Sequence, residues 1–355
     1  MSNSIKLIPN KERELSNLLL SFRIEHEEVS LNEMEFFDVY DIKVSPGIRF
    51  NRIDNILPDL GMHLCANSTP RGYAVMSRGV YRIEVQKAPL PTMKFEELFS
   101  DHEDYYTPIT LGVNSRGEPF YLDLNKLPNL LIGGVPGSGK SVLLHSIVLS
   151  LIKGVKPLLY LVDPKMVEFN IYKDSAKKIA NSVEETYQII EEVTSIMNSR
   201  FNKLGKTCSR DIHEYNSKYK NKMKPVVMII DEWADIILQD KKIQKPLCIL
   251  AQKGRAAGIS IILATQRPSS KVISGLIKAN FSGRIALKVA SALDSRIILD
   301  CSGAEKVRGI GEGLYIDQSL SEPRVFKSTF LESPQDYIKV KSNKAKLPFW
   351  KRIWL

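Results

Sequence analysis

The sequence has few cysteines, and their arrangement builds neither a disulfide framework nor a zinc site. Among 355 residues there are four, which lie far apart and form no C-x-x-C pair. This spacing argues against a zinc ribbon and against a small disulfide-rich fold. We expect reduced thiols that pack as small hydrophobic side chains at Cys65, Cys208, Cys248 and Cys301.

Long hydrophobic runs are also missing. No stretch reaches the ~18 consecutive apolar residues of a transmembrane helix, and the N-terminus has no hydrophobic signal-peptide segment. We therefore expect a cytoplasmic protein with no integral membrane segment. Apolar residues still make up 43% of the chain, which is enough for a globular core. The length leaves room for about two domains.

Positive charge is scarce at the start of the chain and abundant afterwards. Residues 1–110 contain 12 Lys/Arg and 17 Asp/Glu, whereas residues 111–355 contain 38 and 23. The second part thus has a basic surplus, which favours a polyanionic partner. A solvated lysine-rich surface would give the same balance, so charge alone leaves both interpretations open.

The first third contains no cluster of catalytic residues, and its lone histidines His26 and His63 are typical of structural or exposed positions. Leucines at helical spacing predict a helical segment over residues 1–34. Strand-like runs around one helix then predict a small α+β domain at 35–105. We divide the rest into an α/β domain at 106–331 and a basic, aromatic tail at 332–355.

One stretch fits G-x-x-x-x-G-K-[ST], the phosphate-binding loop of nucleotide triphosphatases. It reads Gly134-Val135-Pro136-Gly137-Ser138-Gly139-Lys140-Ser141. A short apolar run precedes it and an almost wholly apolar stretch follows, which predicts a strand, the loop and a helix. A glycine-rich turn with a chance Lys-Ser is the alternative, and the flanking pattern disfavours it.

The composition of this loop suits ATP with Mg²⁺. Its glycines let backbone N–H groups surround a phosphate, and the following helix N-terminus adds a partial positive charge. We expect Lys140 to reach the β- and γ-phosphates and Ser141 to ligate Mg²⁺.

Later apolar runs end in polar residues, as parallel strands do where ligands bind. The run 158–162 leads to Asp163 and Lys165, which we place beside the nucleotide. The run 226–230 leads to Asp231, expected to hold Mg²⁺ through water, and to Glu232, expected to polarise the attacking water. The run 259–264 leads to Gln266, which can sense the γ-phosphate. Strands alternating with helices from residue 129 predict a parallel sheet with right-handed crossovers.

Several ordered segments stand out along the chain. The most specific are Asp163-Pro164-Lys165-Met166-Val167-Glu168, Ile230-Asp231-Glu232-Trp233-Ala234-Asp235, and the stretch from Leu250 through Gly254-Arg255-Ala256-Ala257-Gly258 to Gln266-Arg267-Pro268-Ser269. Shorter ones lie at 275–280, 294–300 and 303–305. In this order they resemble the FtsK/SpoIIIE family of DNA translocases, part of the FtsK–HerA group, over roughly residues 35–331.

The resemblance implies a RecA-like ATPase motor that assembles as a homo-hexameric ring around double-stranded DNA, with the small acidic domain seated on the ring. It matches Arg255 to an arginine finger that reaches into the neighbouring subunit's site. It also matches Arg267 and Lys278 to positions facing the central channel, and places Lys206 and Arg210 on the other channel loop. Lys271, close to Arg267, is expected to contact DNA phosphates as well.

The chain departs from the family pattern in three respects. Ala292 stands where a lysine is expected before Leu293-Asp294-Ser295-Arg296, which puts the chemistry between subunits in doubt. We expect no membrane segment ahead of the motor, and hence no encoded tether to a septum. Only about 25 residues follow Leu331, too few for the family's winged-helix DNA reader, so we expect a motor that translocates without regard to sequence.

The leading interpretation is a double-stranded DNA pump for transfer or packaging by a mobile element. A secretion-type ATPase that moves proteins is the main alternative, and a catalytically dead structural copy is a second. The aromatic, basic tail Leu347-Pro348-Phe349-Trp350-Lys351-Arg352-Ile353-Trp354-Leu355 is expected either to dock on a partner or to pack on its own domain. The biological process, the direction of pumping and the docking partner do not follow from the sequence.

Overall fold

The computed structural model describes residues 11–64, 69–75, 78–99 and 105–339. Cys65 and the tail at 347–355 therefore lie outside the described residues. The chain divides after Pro91 into two compact units, and Ser115–Glu118 group with the smaller one. The boundary expected at residue 105 is thus too late, because Thr92–Asn114 group with the larger unit.

The smaller unit combines two helices with an antiparallel sheet whose order is β1-β2-β4-β3 within the described residues. Its elements are α1 (Lys11–Ser21), β1 (His26–Glu33), β2 (Phe37–Val44), α2 (Phe50–His63), β3 (Arg71–Val75) and β4 (Val80–Gln86). The expected helical segment over 1–34 is wrong from residue 26 onward. Val29 and Leu31 alternate with polar residues there, and Val29 pairs with Ile42 of β2.

The core of the smaller unit follows from helical spacing. Leu15 and Leu19 of α1, and Ile53 and Leu57 of α2, lie one turn apart and are fully buried. They share one hydrophobic cluster with residues of β2 and β4, among them Tyr40. The unit therefore has its own core, as a separate domain requires.

The larger unit is an α/β structure in which helices alternate with strands after the first hairpin. Its elements are α3 (Phe95–Leu98), β5 (Pro108–Asn114), β6 (Pro119–Asp123), β7 (Asn129–Gly133), α4 (Lys140–Lys153), β8 (Leu158–Val162), β9 (Lys178–Ala180), α5 (Val183–Lys206), α6 (Ile212–Lys218), β10 (Val226–Ile230), α7 (Trp233–Ile237), α8 (Gln244–Lys253), β11 (Ile259–Thr265), α9 (Gly275–Asn280), β12 (Gly283–Leu287), α10 (Ala292–Leu299), β13 (Glu312–Ile316), β14 (Arg324–Ser328) and α11 (Pro334–Lys339).

One sheet runs through the larger unit, and in the part of the chain that is described it has ten strands in the order β6-β5-β14-β13-β12-β7-β11-β10-β8-β9. The strands from β12 to β9 are parallel, as the sequence predicts. The remaining neighbours pair antiparallel, so the sheet is mixed and the expectation of a parallel sheet holds for one part of it. Short connections join β5 to β6 and β13 to β14, whereas β14 and β5 pair although they lie far apart in the chain.

The parallel strands are buried on both faces, which explains their continuous apolar sequences. Every residue of β7, β10 and β11 is buried. Their carboxyl ends meet at one edge of the sheet, here called the carboxyl edge, and their starts lie at the opposite amino edge. None of the helices in the described ranges is long and apolar enough to span a bilayer.

Helix α5 connects the two edges. Its N-cap residue is Ser182, whose hydroxyl oxygen accepts from the backbone N–H of Glu185, while the Glu185 carboxylate accepts from the N–H of Asn181. The helix ends at Lys206. Because α5 follows the parallel strand β9 and ends near the start of β11, Lys206 lies toward the amino edge.

Candidate nucleotide-binding site

The phosphate-binding loop joins β7 to α4 at the carboxyl edge and is anchored by its backbone. Gly134 N–H donates to the Thr265 carbonyl at 3.3 Å, and Val135 N–H donates to the Lys288 carbonyl at 2.9 Å. The Ser138 carbonyl accepts from the Gly311 N–H at 2.8 Å. The end of β11, the residue after β12 and the residue before β13 therefore hold the loop in place.

Two glycines of the loop adopt conformations that other residues avoid. Gly137 and Gly139 have φ angles of +78° and +97°. A Cβ at Gly139 would lie 2.8 Å from the backbone nitrogen of Gly311, closer than atoms approach without displacement. Gly139 is the N-cap residue of α4, so the loop delivers the chain directly into the helix N-terminus.

Lys140 and Asp231 form a buried ion pair at the centre of the site. The two side chains are 3% and 4% exposed, and Lys140 Nζ lies 2.5 Å from Asp231 Oδ1. The same ammonium donates to the backbone carbonyl of Asp231 at 2.8 Å. The structure thus brings together the first residue of α4 and the residue that follows β10, as the sequence predicts.

Glu232 is held by the neighbouring strand β11. Its Oε1 accepts from the Thr265 hydroxyl at 2.6 Å, and its Oε2 accepts from the Gln266 N–H at 2.9 Å. The side chain is buried, as is Thr265. Glu232 and Gln266, two candidate catalytic residues, therefore lie side by side next to the phosphate-binding loop.

Asp163 organises the loop after β8. Its carboxylate accepts from the backbone N–H groups of Lys165, Glu168 and Phe169 at 3.2, 2.8 and 2.9 Å. The residue is 1% exposed. These hydrogen bonds hold the Asp163 carboxylate within its own loop, and its place beside the nucleotide stays a prediction. Lys165 is half exposed, and its Nζ lies 3.9 Å from Asp235 Oδ2.

A polar cluster connects this loop to the phosphate-binding loop. Ser141 Oγ donates to Glu168 Oε1 at 2.6 Å. The other oxygen of Glu168 lies 3.1 Å from Nε2 of His145, whose Nδ1 lies 2.8 Å from the Tyr172 hydroxyl. The hydrogen bond with His145, assisted by the one from Ser141, lowers the pKa of Glu168 to about 2 although burial opposes the shift. Glu168 is therefore an ionised acceptor at neutral pH.

The residues present fit a nucleotide phosphate with Mg²⁺. Ser138 Oγ is buried and has no hydrogen-bond partner among the described residues, so this hydroxyl can bind a polar ligand in the loop. The helix N-terminus supplies further donors. The Ser141 hydroxyl and the Asp231 carboxylate are oxygen donors of the type that Mg²⁺ prefers.

Comparison with known proteins agrees with this geometry. The model of the FtsK/SpoIIIE family matches residues 98–270. The DNA translocase FtsK of Streptococcus pneumoniae is 35% identical over 312 residues, which cover 82% of this chain and 41% of that protein. The DNA translocase SpoIIIE of Bacillus subtilis is 32% identical over 351 residues, which cover 93% and 45%.

The chain belongs to the FtsK/SpoIIIE family. It spans less than half the length of these curated relatives. Among solved structures, the pCW3 conjugation coupling protein TcpA, in its monomer form with ATPγS, superposes with a TM-score of 0.68 at 23% identity. The superposition covers 93% of this chain and 99% of that one, which confirms the predicted α/β P-loop ATPase fold.

The arginine that the FtsK/SpoIIIE resemblance matches to an arginine finger lies far from the phosphate-binding loop of its own chain. Arg255 is exposed and comes four residues before β11 begins at the amino edge. The seven residues of β11 span on the order of 23 Å at ~3.3 Å per residue. Arg255 therefore cannot reach the phosphate-binding loop of the same subunit.

Four of the residues expected to contact DNA lie at two edges of the sheet. Arg267 and Lys271 are exposed and follow β11 at the carboxyl edge. Lys206, the last residue of α5, and Arg210 are exposed and lie toward the amino edge. A single chain does not bring these two pairs together.

Lys278 is already paired with a carboxylate, as Arg210 is with Glu214 at 3.4 Å. Asp300 accepts hydrogen bonds from both Lys278 and Arg284. Partial burial raises the pKa of Asp300, but these two hydrogen bonds outweigh burial and the net effect is a lowered pKa. Asp300 is thus ionised, and it holds two cations that DNA phosphates would otherwise attract.

Sequence reasoning missed Thr265, His145 and the part played by Glu168. Thr265 is the last residue of a buried apolar strand. Its hydroxyl, a polar group at the carboxyl edge, was the sequence feature that could have indicated a role in the site. His145 was detectable as a histidine among the buried apolar residues of α4. Glu168 was noticed as part of a family segment, but its side chain reaches Ser141 only through the folding of the loop after β8.

Proposed function

We propose that this chain is an ATPase that translocates double-stranded DNA. The observation that carries the proposal is the contact of Lys140 with Asp231 at the carboxyl edge, next to Glu232. These three side chains supply a phosphate-binding cation, a metal-binding carboxylate and a general base in one place. Membership in the FtsK/SpoIIIE family and the basic surplus of residues 111–355 support DNA as the substrate.

Each residue of the site has a part in this proposal. The loop from Gly134 to Gly139 and the N-terminus of α4 bind the phosphates, and Lys140 turns from Asp231 to the β- and γ-phosphates. Ser141 and Asp231 hold Mg²⁺, which neutralises charge that develops on the phosphates. Glu232 accepts a proton from the attacking water. Gln266, held through its backbone by Glu232, senses the γ-phosphate.

We further infer a homo-hexameric ring in which Arg255 completes the site of the next subunit. The position of Arg255 at the amino edge, opposite the phosphate-binding loop, supports action between subunits. Exposed Arg267, Lys271, Lys206 and Arg210 would contact DNA phosphates, which position a duplex without reading its sequence. The role in transfer or packaging by a mobile element stays a prediction.

The test is ATP hydrolysis by the full chain with and without random-sequence duplex DNA, paired with a gel-shift assay. We expect Mg²⁺-dependent hydrolysis that duplex DNA stimulates, together with retarded duplex. Hydrolysis that duplex leaves unchanged, with no retardation, would contradict the DNA assignment and favour a protein-moving ATPase. Absence of nucleotide binding would contradict the ATPase itself.

A further inference from the structure

Helix α4 carries one buried histidine that the proposed reaction does not use. His145 follows Ser141 by four residues, so both side chains project from the same face of the helix. It is 8% exposed, and each ring nitrogen contacts a polar partner. A buried ring with partners at both nitrogens has one orientation, and it fixes the carboxylate of Glu168 that it contacts.

Glu168 is held from two further directions. Its backbone N–H donates to Asp163, so the loop after β8 sets the position of its Cα. Its Oε1 accepts the proton of the Ser141 hydroxyl. A serine hydroxyl has one proton and two lone pairs, so donation to Glu168 leaves both lone pairs free to accept. A metal ion binds to lone pairs and is repelled by a hydroxyl proton.

We propose that Glu168 is a positioning residue for Ser141, whose hydroxyl it orients for Mg²⁺, and that His145 and Tyr172 hold Glu168 in place. This inference rests on the proposed function, because it concerns the metal site of a nucleotide-binding chain. The proposed role explains why an acidic residue stands at the end of the segment Asp163-Pro164-Lys165-Met166-Val167-Glu168. The carboxylate of Asp163 builds the loop, and the carboxylate of Glu168 acts on Ser141.

The test measures how Mg²⁺ strengthens nucleotide binding by the full chain. A fluorescent, non-hydrolysable ATP analogue is titrated in EDTA and at increasing free Mg²⁺, and the half-saturating Mg²⁺ concentration is determined. For Glu168→Ala we expect that concentration to rise ~10–100-fold, the usual effect of losing a group that orients a metal ligand. Affinity in EDTA should change less than about twofold, because Asp163 still holds the loop.

Two variants separate this role from a structural one. In Glu168→Gln the side-chain oxygen still accepts from Ser141, and the amide NH₂ still faces Nε2 of His145, so we expect a half-saturating Mg²⁺ concentration within about threefold of the wild type. Glu192→Ala removes a comparable hydrogen bond, from the Tyr160 hydroxyl at 2.7 Å, and should leave the Mg²⁺ response unchanged.

The outcomes distinguish the inference from the function on which it rests. Equal Mg²⁺ responses of wild type and Glu168→Ala would overturn the inference and leave the ATPase proposal intact. A loss in Glu168→Gln as large as in Glu168→Ala would also overturn it, since the hydrogen-bond acceptor would then be irrelevant. A wild-type chain that binds no nucleotide, or binds it without regard to Mg²⁺, would overturn both.

Discussion

At the scale of single residues, the ion pair of Lys140 and Asp231 lies at the centre of the site. The ammonium neutralises the carboxylate, and the pair is almost fully shielded from water. An unpaired buried charge is costly, so each partner stabilises the other. The ion pair thus fixes both side chains beside the phosphate-binding loop.

Changing Lys140 and changing Glu232 should have different effects. We expect Lys140→Ala to lose ATP binding, because the phosphates lose their cation and Asp231 loses its partner. Glu232→Gln should bind ATP normally and hydrolyse it ~10²–10⁴-fold more slowly, the usual contribution of a general base. Nucleotide titration and a steady-state ATPase assay separate the two. Normal turnover by Glu232→Gln would contradict the assignment of the base.

Asp300 should weaken DNA binding in the wild-type chain, since it neutralises Lys278 and Arg284. We expect Asp300→Asn to bind random duplex more tightly. The dependence of log affinity on log salt should steepen by about 0.9 for each phosphate newly contacted. Salt titrations of duplex binding measure both effects. Asp174→Asn, which removes an exposed carboxylate elsewhere, is the control, and equal slopes in the two variants would show that only net charge matters.

At the scale of elements, the phosphate-binding loop depends on close contact with the segment before β13. We expect Gly139→Ala to weaken ATP binding at least tenfold, because left-handed backbone costs ~1–2 kcal/mol and the new Cβ would displace Gly311. Gly205→Ala is the matched control, since no atom lies within 4 Å of its added Cβ. Nucleotide titration gives the ATP affinity of both variants, and thermal unfolding gives their stability. Unchanged affinity in Gly139→Ala would show that the segment before β13 moves to accommodate the new Cβ.

The parallel strands and their polar ends were predictable from sequence, because a strand buried on both faces has a continuous apolar run. β1 was not, since its alternation is interrupted by neighbouring glutamates and a helix precedes it. The antiparallel part of the sheet depends on which distant strands become neighbours, and local patterns carry no such signal. The same limit applies to Glu168, whose partner Ser141 lies 27 residues earlier.

At the scale of the whole molecule, the two halves of the proposed catalytic site lie at opposite edges of the sheet. Arg255→Ala protein and Lys140→Ala protein should each lack DNA-stimulated hydrolysis, and mixing them should restore part of it. Restoration is expected because a mixed interface can pair an intact loop with an intact arginine, which contributes ~10³–10⁵ in rate. No restoration in confirmed mixed assemblies, together with full activity of Arg255→Ala alone, would contradict the role.

The separation of Arg255 from the phosphate-binding loop also restricts the symmetry of any active assembly. A two-fold symmetric dimer can complete its sites only if both edges of each chain lie within one interface, so that each edge faces the opposite edge of the partner. An assembly that instead joins the edges head to tail is heterologous, and it either closes into a ring or grows as an open helical filament. A closed ring leaves every site complete, whereas an open chain always ends in one site that lacks its arginine.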